Sequence, residues 1–188
     1  MDKLKTLYVS NRKDWRRWLK KNFDKEAEVW LAYPKKSSGK PRIEYNDAVE
    51  EALCFGWIDS IVKSLDKENS IQRFSPRNPK STYSQQNKER IKWLLEHDMI
   101  HSSMLEKAEE IASQKFVFPK DILESIKTDK VALKNYNKFS DPYKRIRIAY
   151  IDAARKRPEE FTKRLANFIN KTRQGKMIKG YGGIDKYY

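Results

Sequence analysis

Two stretches rich in β-branched and aromatic residues, Trp57 to Leu65 and Ser70 to Ser75, flank the polar turn Asp66-Lys67-Glu68-Asn69. Pro76 and Pro79 end the second stretch. The spacing predicts a β-hairpin, because the turn residues tolerate a sharp reversal while the arms pair and bury one face. A hairpin demands a sheet, and a sheet face must be covered by another layer. A further strand is expected over Glu28-Val29-Trp30-Leu31-Ala32-Tyr33, stopped by Pro34 before the turn Ser37-Ser38-Gly39. The covering layer comes from helical periods. Asn11 to Asn22 sets Trp15, Trp18 and Leu19 on one face, and Asn46-Asp47 can cap a helix with the stripe Tyr45, Ala48, Val49, Ala52 and Leu53, ended by Gly56.

From Ser84 onward the pattern is helical. Ser84 caps a helix with Ile91, Leu94 and Leu95 inward, and Ser103 with Glu106 has the spacing of a capping box. Phe116-Val117-Phe118-Pro119 breaks that helix, and a short one follows. Ser140-Asp141-Pro142 opens a helix with Tyr143, Ile146, Tyr150 and Ala153 inward, and Pro158 opens the last, with Phe161, Leu165, Phe168 and Ile169 inward. The expected fold is α+β, a small antiparallel sheet with packed helices and a helix-rich C-terminal half. The expected division is an α+β core over 1–115, a basic helical region over 116–174 and a flexible tail over 175–188.

Charge is uneven. The chain carries a formal +15, and residues 128–188 hold 16 Lys and Arg against 6 Asp and Glu. Such a field draws in nucleic acid, anionic ligands or acidic proteins without choosing among them. No apolar run approaches a membrane span, and no apolar leader precedes Arg12 and Asp14. Cys54 is the only cysteine, so no internal disulfide exists. These features place the chain in the cytoplasm.

Sequence signatures of common catalysts are absent: no Walker-type loop, no Gly-x-Gly-x-x-Gly, no His-Glu-x-x-His and no Gly-x-Ser-x-Gly. His97 and His101 lie four apart but lack a third ligand, so neither a metal nor a cofactor is expected. Cys54 sits between Leu53 and Phe55 and reads as a buried structural residue. The dense constellation is Ala52-Leu53-Cys54-Phe55-Gly56-Trp57-Ile58-Asp59-Ser60, then Arg73-Phe74-Ser75-Pro76-Arg77, then Ser81-x-x-Ser84-x-x-Asn87. In combination, and with the order of elements around them, these segments resemble the YdeI/OmpD-associated (bacteriocin-protection, OmdA) family over essentially the whole chain. The resemblance implies a link to an outer-membrane porin and to protection from antimicrobial peptides, and no known reaction.

Read physically, Asp59 with Arg73, Arg77, Ser84 and Asn87 forms an anion-binding kit beside the motif residue Trp57. Planar guanidinium forks and a helix start suit phosphate or carboxylate, and Asp59 is the one candidate acid or base. The competing reading makes the kit structural, with Asp59 paired to Arg73 or Arg77, Ser84 a plain N-cap and Trp57 core. A second surface is basic: Lys144, Arg145, Arg147, Arg155, Lys156 and Arg157 lead to Lys163, Arg164, Lys171, Arg173, Lys176 and Lys179, with Tyr181, Tyr187 and Tyr188 as stacking groups. The expectation is a non-enzymatic binding or stress protein that engages an anionic partner. The alternatives are an enzyme acting on a small anionic substrate at Asp59, Arg73 and Arg77, and an adaptor for an acidic protein.

Overall fold

A computed structural model of the protein describes residues 4–180 and 184–188. The chain divides into two compact units, one of residues 1–82 and 91–112 and the other of residues 83–90 and 113–188.

The first unit holds a four-stranded sheet of β1 (Thr6–Tyr8), β2 (Val29–Pro34), β3 (Trp57–Ser64) and β4 (Asn69–Pro76) in the order β1-β2-β4-β3. The hairpin β3–β4 and the pair β2–β4 are antiparallel, whereas β1 runs parallel to β2. The sheet is therefore mixed, not purely antiparallel. Three residues of β1 are too few for a period-two pattern to show in the sequence. Register places Val29, Leu31 and Tyr33 of β2 on the same face as Phe74, Gln72 and Ser70 of β4, since directly paired residues share a face.

Helices α1 (Arg12–Asn22) and α2 (Tyr45–Cys54) cover this unit's core. The Trp15 ring packs edge-on to Phe74 at 5.4 Å, and its indole N–H donates to the Ala48 carbonyl at 3.0 Å. Trp57 is buried and donates to the Phe23 carbonyl at 3.0 Å, so the motif tryptophan is core. Asn46 and Asp47 do not cap α2, which starts at Tyr45. Asn46 instead donates to Glu50, and Asp47 accepts from Arg12. Between α2 and β3, Gly56 adopts φ +73°, a conformation costly for other residues, and its carbonyl accepts the Arg77 N–H at 2.9 Å.

The sequence did not single out an ion network between α1 and α2. Glu50 and Glu51 are completely buried, and Arg12 reaches both while Arg16 reaches Glu51 at 2.6 Å. Burial opposes the charge on Arg12, yet the two glutamates hold its pKa above the usual arginine range. Among helix positions, buried glutamates read as polar surface until their partners are known.

Helix α3 (Gln85–Glu96) contributes residues 85–90 to the second unit and 91–96 to the first, which also holds α4 (Leu105–Ser113) up to Ala112. The expected capping box does not form. The Ser103 N–H bonds to His101 Nδ1 in a short 3-10 turn that precedes α4.

In the second unit, α5 (Lys120–Lys127), α6 (Lys130–Lys138), α7 (Asp141–Asp152) and α8 (Pro158–Arg173) enclose a core of Ile122, Ile126, Tyr143, Ile148, Ile151 and Phe168. Two helices stand where one short one was expected, because Asp129 accepts the N–H groups of Val131 and Ala132 and restarts the chain as α6. Ser140 caps α7 as its sequence predicts. Residues 175–188, expected as a flexible tail, end in packed structure. Ile184 and Tyr187 are buried, and the Ile178 N–H donates to the Tyr143 hydroxyl at 2.9 Å. Tyr181 lies outside the described residues.

Candidate anion-binding site

The predicted kit is not one site. Asp59 accepts from the Tyr45 hydroxyl at 2.9 Å and from Gln72 Nε2 at 2.7 Å, and it pairs with neither arginine. Arg73 bonds Glu28 at 2.6 Å across the β2 end, which together with Trp30 Nε1 holds the Glu28 carboxyl below its ordinary value. Arg77 donates to the Thr82 carbonyl. Ser84 caps α3 by accepting the Asn87 N–H at 3.3 Å, and the Asn87 side chain accepts from Arg90 at 2.8 Å.

Cys54, His97 and His101 are held in local contacts as well. Burial pushes the Cys54 thiol up to about 12, with Glu51 adding to the shift, so this cysteine is no nucleophile near neutrality. His97 Nδ1 contacts the Trp93 carbonyl and His101 Nδ1 contacts Ser103, both at 2.8 Å.

The basic surface is partly spent as well. Arg145 forks onto Glu89, Arg155 onto Asp121 with a further bond to Asp152, and Arg164 bonds Glu160 at 2.7 Å. Lys156, Arg157 and Lys163 are exposed, and among the described residues none of the three has an ion-pair partner.

What the second unit does assemble is a cavity of about 610 Å³, within the range of small-molecule sites. One wall is the α7 stripe Ile146, Ala149, Tyr150 and Ala153, with Phe168 of α8 adding to the apolar surface. The sequence placed Tyr150 and Ala153 inward. They are instead exposed, because that side of α7 faces the cavity rather than a packed neighbour. The opposing stripe on α8 is polar at helical spacing: Glu160, Lys163, Arg164 and Asn167. Arg164 joins the two walls, with its guanidinium 3.8 Å over the Tyr150 ring and donating to the Tyr150 carbonyl at 2.7 Å.

Charge in the cavity is lopsided. Arg147 lines it at only 8% exposure, donating through Nη2 to the Ile178 carbonyl and the Tyr188 hydroxyl, both at 2.6 Å. Its Nε has no hydrogen-bond partner, and among the described residues no carboxylate pairs with it. Its guanidinium also lies over the Tyr143 and Tyr188 rings at 5.6 and 5.7 Å, yet a buried cation that meets only neutral groups is an expensive arrangement. Lys163 and Lys179 add positive charge, and among the described residues Glu160 is the one carboxylate in the lining. Ser84, Gln85 and Gln86 bring the N-terminus of α3 to the same cavity, where the first N–H groups of a helix and its dipole favour an anion. Of the predicted residues, the structure thus gathers Ser84, Arg147, Lys163, Arg164 and Lys179. The burial of Arg147 was missed. It depends on the packing of Tyr188 and Ile178 over the side chain, which local spacing does not record.

No helix among the described residues is long and apolar enough to cross a membrane. A family described as Domain of unknown function (DUF8412) matches residues 7–107, and one described as Bacteriocin-protection, YdeI or OmpD-Associated matches residues 115–175. The motifs from Ala52 to Asn87 fall inside the first match. Similarity to the bacteriocin-protection family therefore rests on α5 to α8 and does not extend over the whole chain. No curated protein and no solved structure matches the chain. With more than half its length in the first match, the chain belongs to the family described as Domain of unknown function (DUF8412), and it carries a bacteriocin-protection, YdeI or OmpD-associated domain in residues 115–175.

Proposed function

We propose that the protein is a binding protein whose second unit takes a ligand with an apolar body and an anionic head. The observation that carries this reading is Arg147, a nine-tenths buried cation without a carboxylate partner in the lining of a largely apolar cavity. An anionic head would supply the missing countercharge, with Lys163 and the α3 N-terminus as further attraction, while the α7 stripe takes the apolar body. The same charge disfavours direct capture of a cationic peptide. A protective role would then run through an anionic compound and not through the peptide itself. A single cysteine suits action in the reducing cytosol.

The enzyme reading at Asp59, Arg73 and Arg77 has less support, since those groups are bonded to separate partners.

Calorimetric titration with dodecanoate, dodecanol and dodecylamine tests the proposal. Dodecanoate is expected to bind, dodecylamine is not, and Lys163→Gln and Arg147→Met each weaken dodecanoate, the latter about tenfold or more. Equal binding of the amine, or no binding of dodecanoate, overturns it.

A further inference from the structure

The first unit has a second, smaller recess of about 200 Å³, lined by Tyr33, Arg42, Glu44, Tyr45, Ser70 and Gln72 with Ile43 and Val62. It forms because one face of the sheet changes character along its length. At one end of that face Val29 and Phe74 pair within an apolar core. At the other, Tyr33 pairs with Ser70 and Val62 with Gln72, so hydroxyl and amide groups stand where the apolar side chains stop. The segment from Arg42 to Tyr45 passes over this polar end. Arg42 is anchored there by its bond to the Pro34 carbonyl at 3.1 Å, which uses one of its five N–H groups.

Two features mark the recess as built to receive something. Tyr33 is 8% exposed, and its hydroxyl has no hydrogen-bond partner, although buried polar groups are nearly always satisfied. Burial, with the nearby Asp59 charge, keeps that hydroxyl protonated and hence a donor. Behind the recess, Asp59 takes the Tyr45 hydroxyl and the Gln72 amide N–H onto one carboxylate oxygen. That bond fixes both side chains and leaves the Gln72 carbonyl oxygen as an acceptor. The lining so combines donors for a carboxylate, Arg42 and Tyr33, with acceptors for an ammonium, Glu44 and Gln72.

We propose that this recess binds a small zwitterion, an α-amino acid or a compound of the same charge pattern, with its carboxylate on Arg42 and Tyr33 and its ammonium toward Glu44 and Gln72. One cation and one carboxylate in a recess of this size suit a ligand of amino-acid dimensions. A simple anion would leave Glu44 without a countercharge, and a simple amine would leave Arg42 without one. This site lies within the first unit and stands or falls independently of the cavity in the second.

The test is a nuclear magnetic resonance titration of the full chain with L-alanine, L-leucine and L-glutamine, using isobutyrate as the carboxylate-only probe and isobutylamine as the amine-only probe. At least one amino acid is expected to shift the backbone amides of Tyr33, Ser70 and Gln72, with neither control doing so. Tyr33→Phe and Arg42→Gln should each weaken that binding by about tenfold. Tyr33→Phe keeps the ring and its packing, so its melting temperature should hold or rise, which separates loss of the ligand from loss of the fold. The proposal is overturned if no amino acid shifts these amides, if either control binds as tightly as the amino acids, or if both variants bind unchanged.

Discussion

Arg145 lays its guanidinium fork across both carboxylate oxygens of Glu89, at 2.6 and 2.8 Å, where Glu89 is almost fully buried. The residue that the sequence offers as part of a nucleic-acid surface is instead the partner that makes a buried carboxylate tolerable. Removing either partner strands a charge. Glu89→Gln and Arg145→Met should each cost about 3 kcal/mol, and the double variant should cost less than the sum. Urea denaturation in a double-mutant cycle measures this coupling, and purely additive losses would show that the pair is not coupled.

Gly56 should resist substitution. Its φ of +73° carries an L residue into the left-handed region, although an added Cβ would meet only the Met104 sulfur at an ordinary 3.5 Å. The cost is conformational and not steric, so Gly56→Ala should destabilise by about 1–2 kcal/mol. Gly39, also left-handed but in an open turn, offers a comparison in the same denaturation assay. A much larger loss at Gly56 than at Gly39 would point to packing as well.

Alkaline stability should depend on the phenols. Burial pushes Tyr136 and Tyr188 up to about 12, against an ordinary value of about 10. The folded state holds these protons longer than the unfolded chain. Their contribution is therefore full below about pH 10, declines as pH rises and is gone above the folded values. Tyrosinate absorbance of the native protein should show late-titrating phenols that move to the ordinary value in denaturant. If all ten tyrosines titrate together near 10, the assignment fails.

The acid side has the opposite sign. Arg73 holds the Glu28 carboxyl below its ordinary value of about 4, so the pair contributes above that pH. The contribution disappears as pH falls through the folded value. Glu28 is close to solvent, so the effect should be small. Arg73→Leu should lower stability near neutrality and flatten part of the decline below about pH 4, read from denaturation midpoints across pH. An unchanged slope would mean that other carboxylates carry the acid response.

The α+β class, the hairpin about Asp66 to Asn69 and most helices were legible in the sequence. Each depends on local spacing and on breakers such as Pro34, Pro76 and Pro158. The role of Ser84 as an N-cap was legible for the same reason. β1 was not, because a strand of three residues gains its hydrogen bonds from β2 and carries no pattern of its own.

The sites follow the same division. Residue types and spacing determined that the chain is basic, left Trp57 open between core and site, and made an anionic partner an expectation. Tertiary structure alone decided which cations are paired and which are not. A charged side chain takes its role from the partner it reaches: Arg73 reaches Glu28 and Arg145 reaches Glu89, so both are spent, whereas Arg147 is drawn under Tyr188 and Ile178 with no ion-pair partner among the described residues. Ion pairing acts between residues 45 to 56 positions apart in these pairs, and local sequence holds no record of which distant carboxylate will arrive.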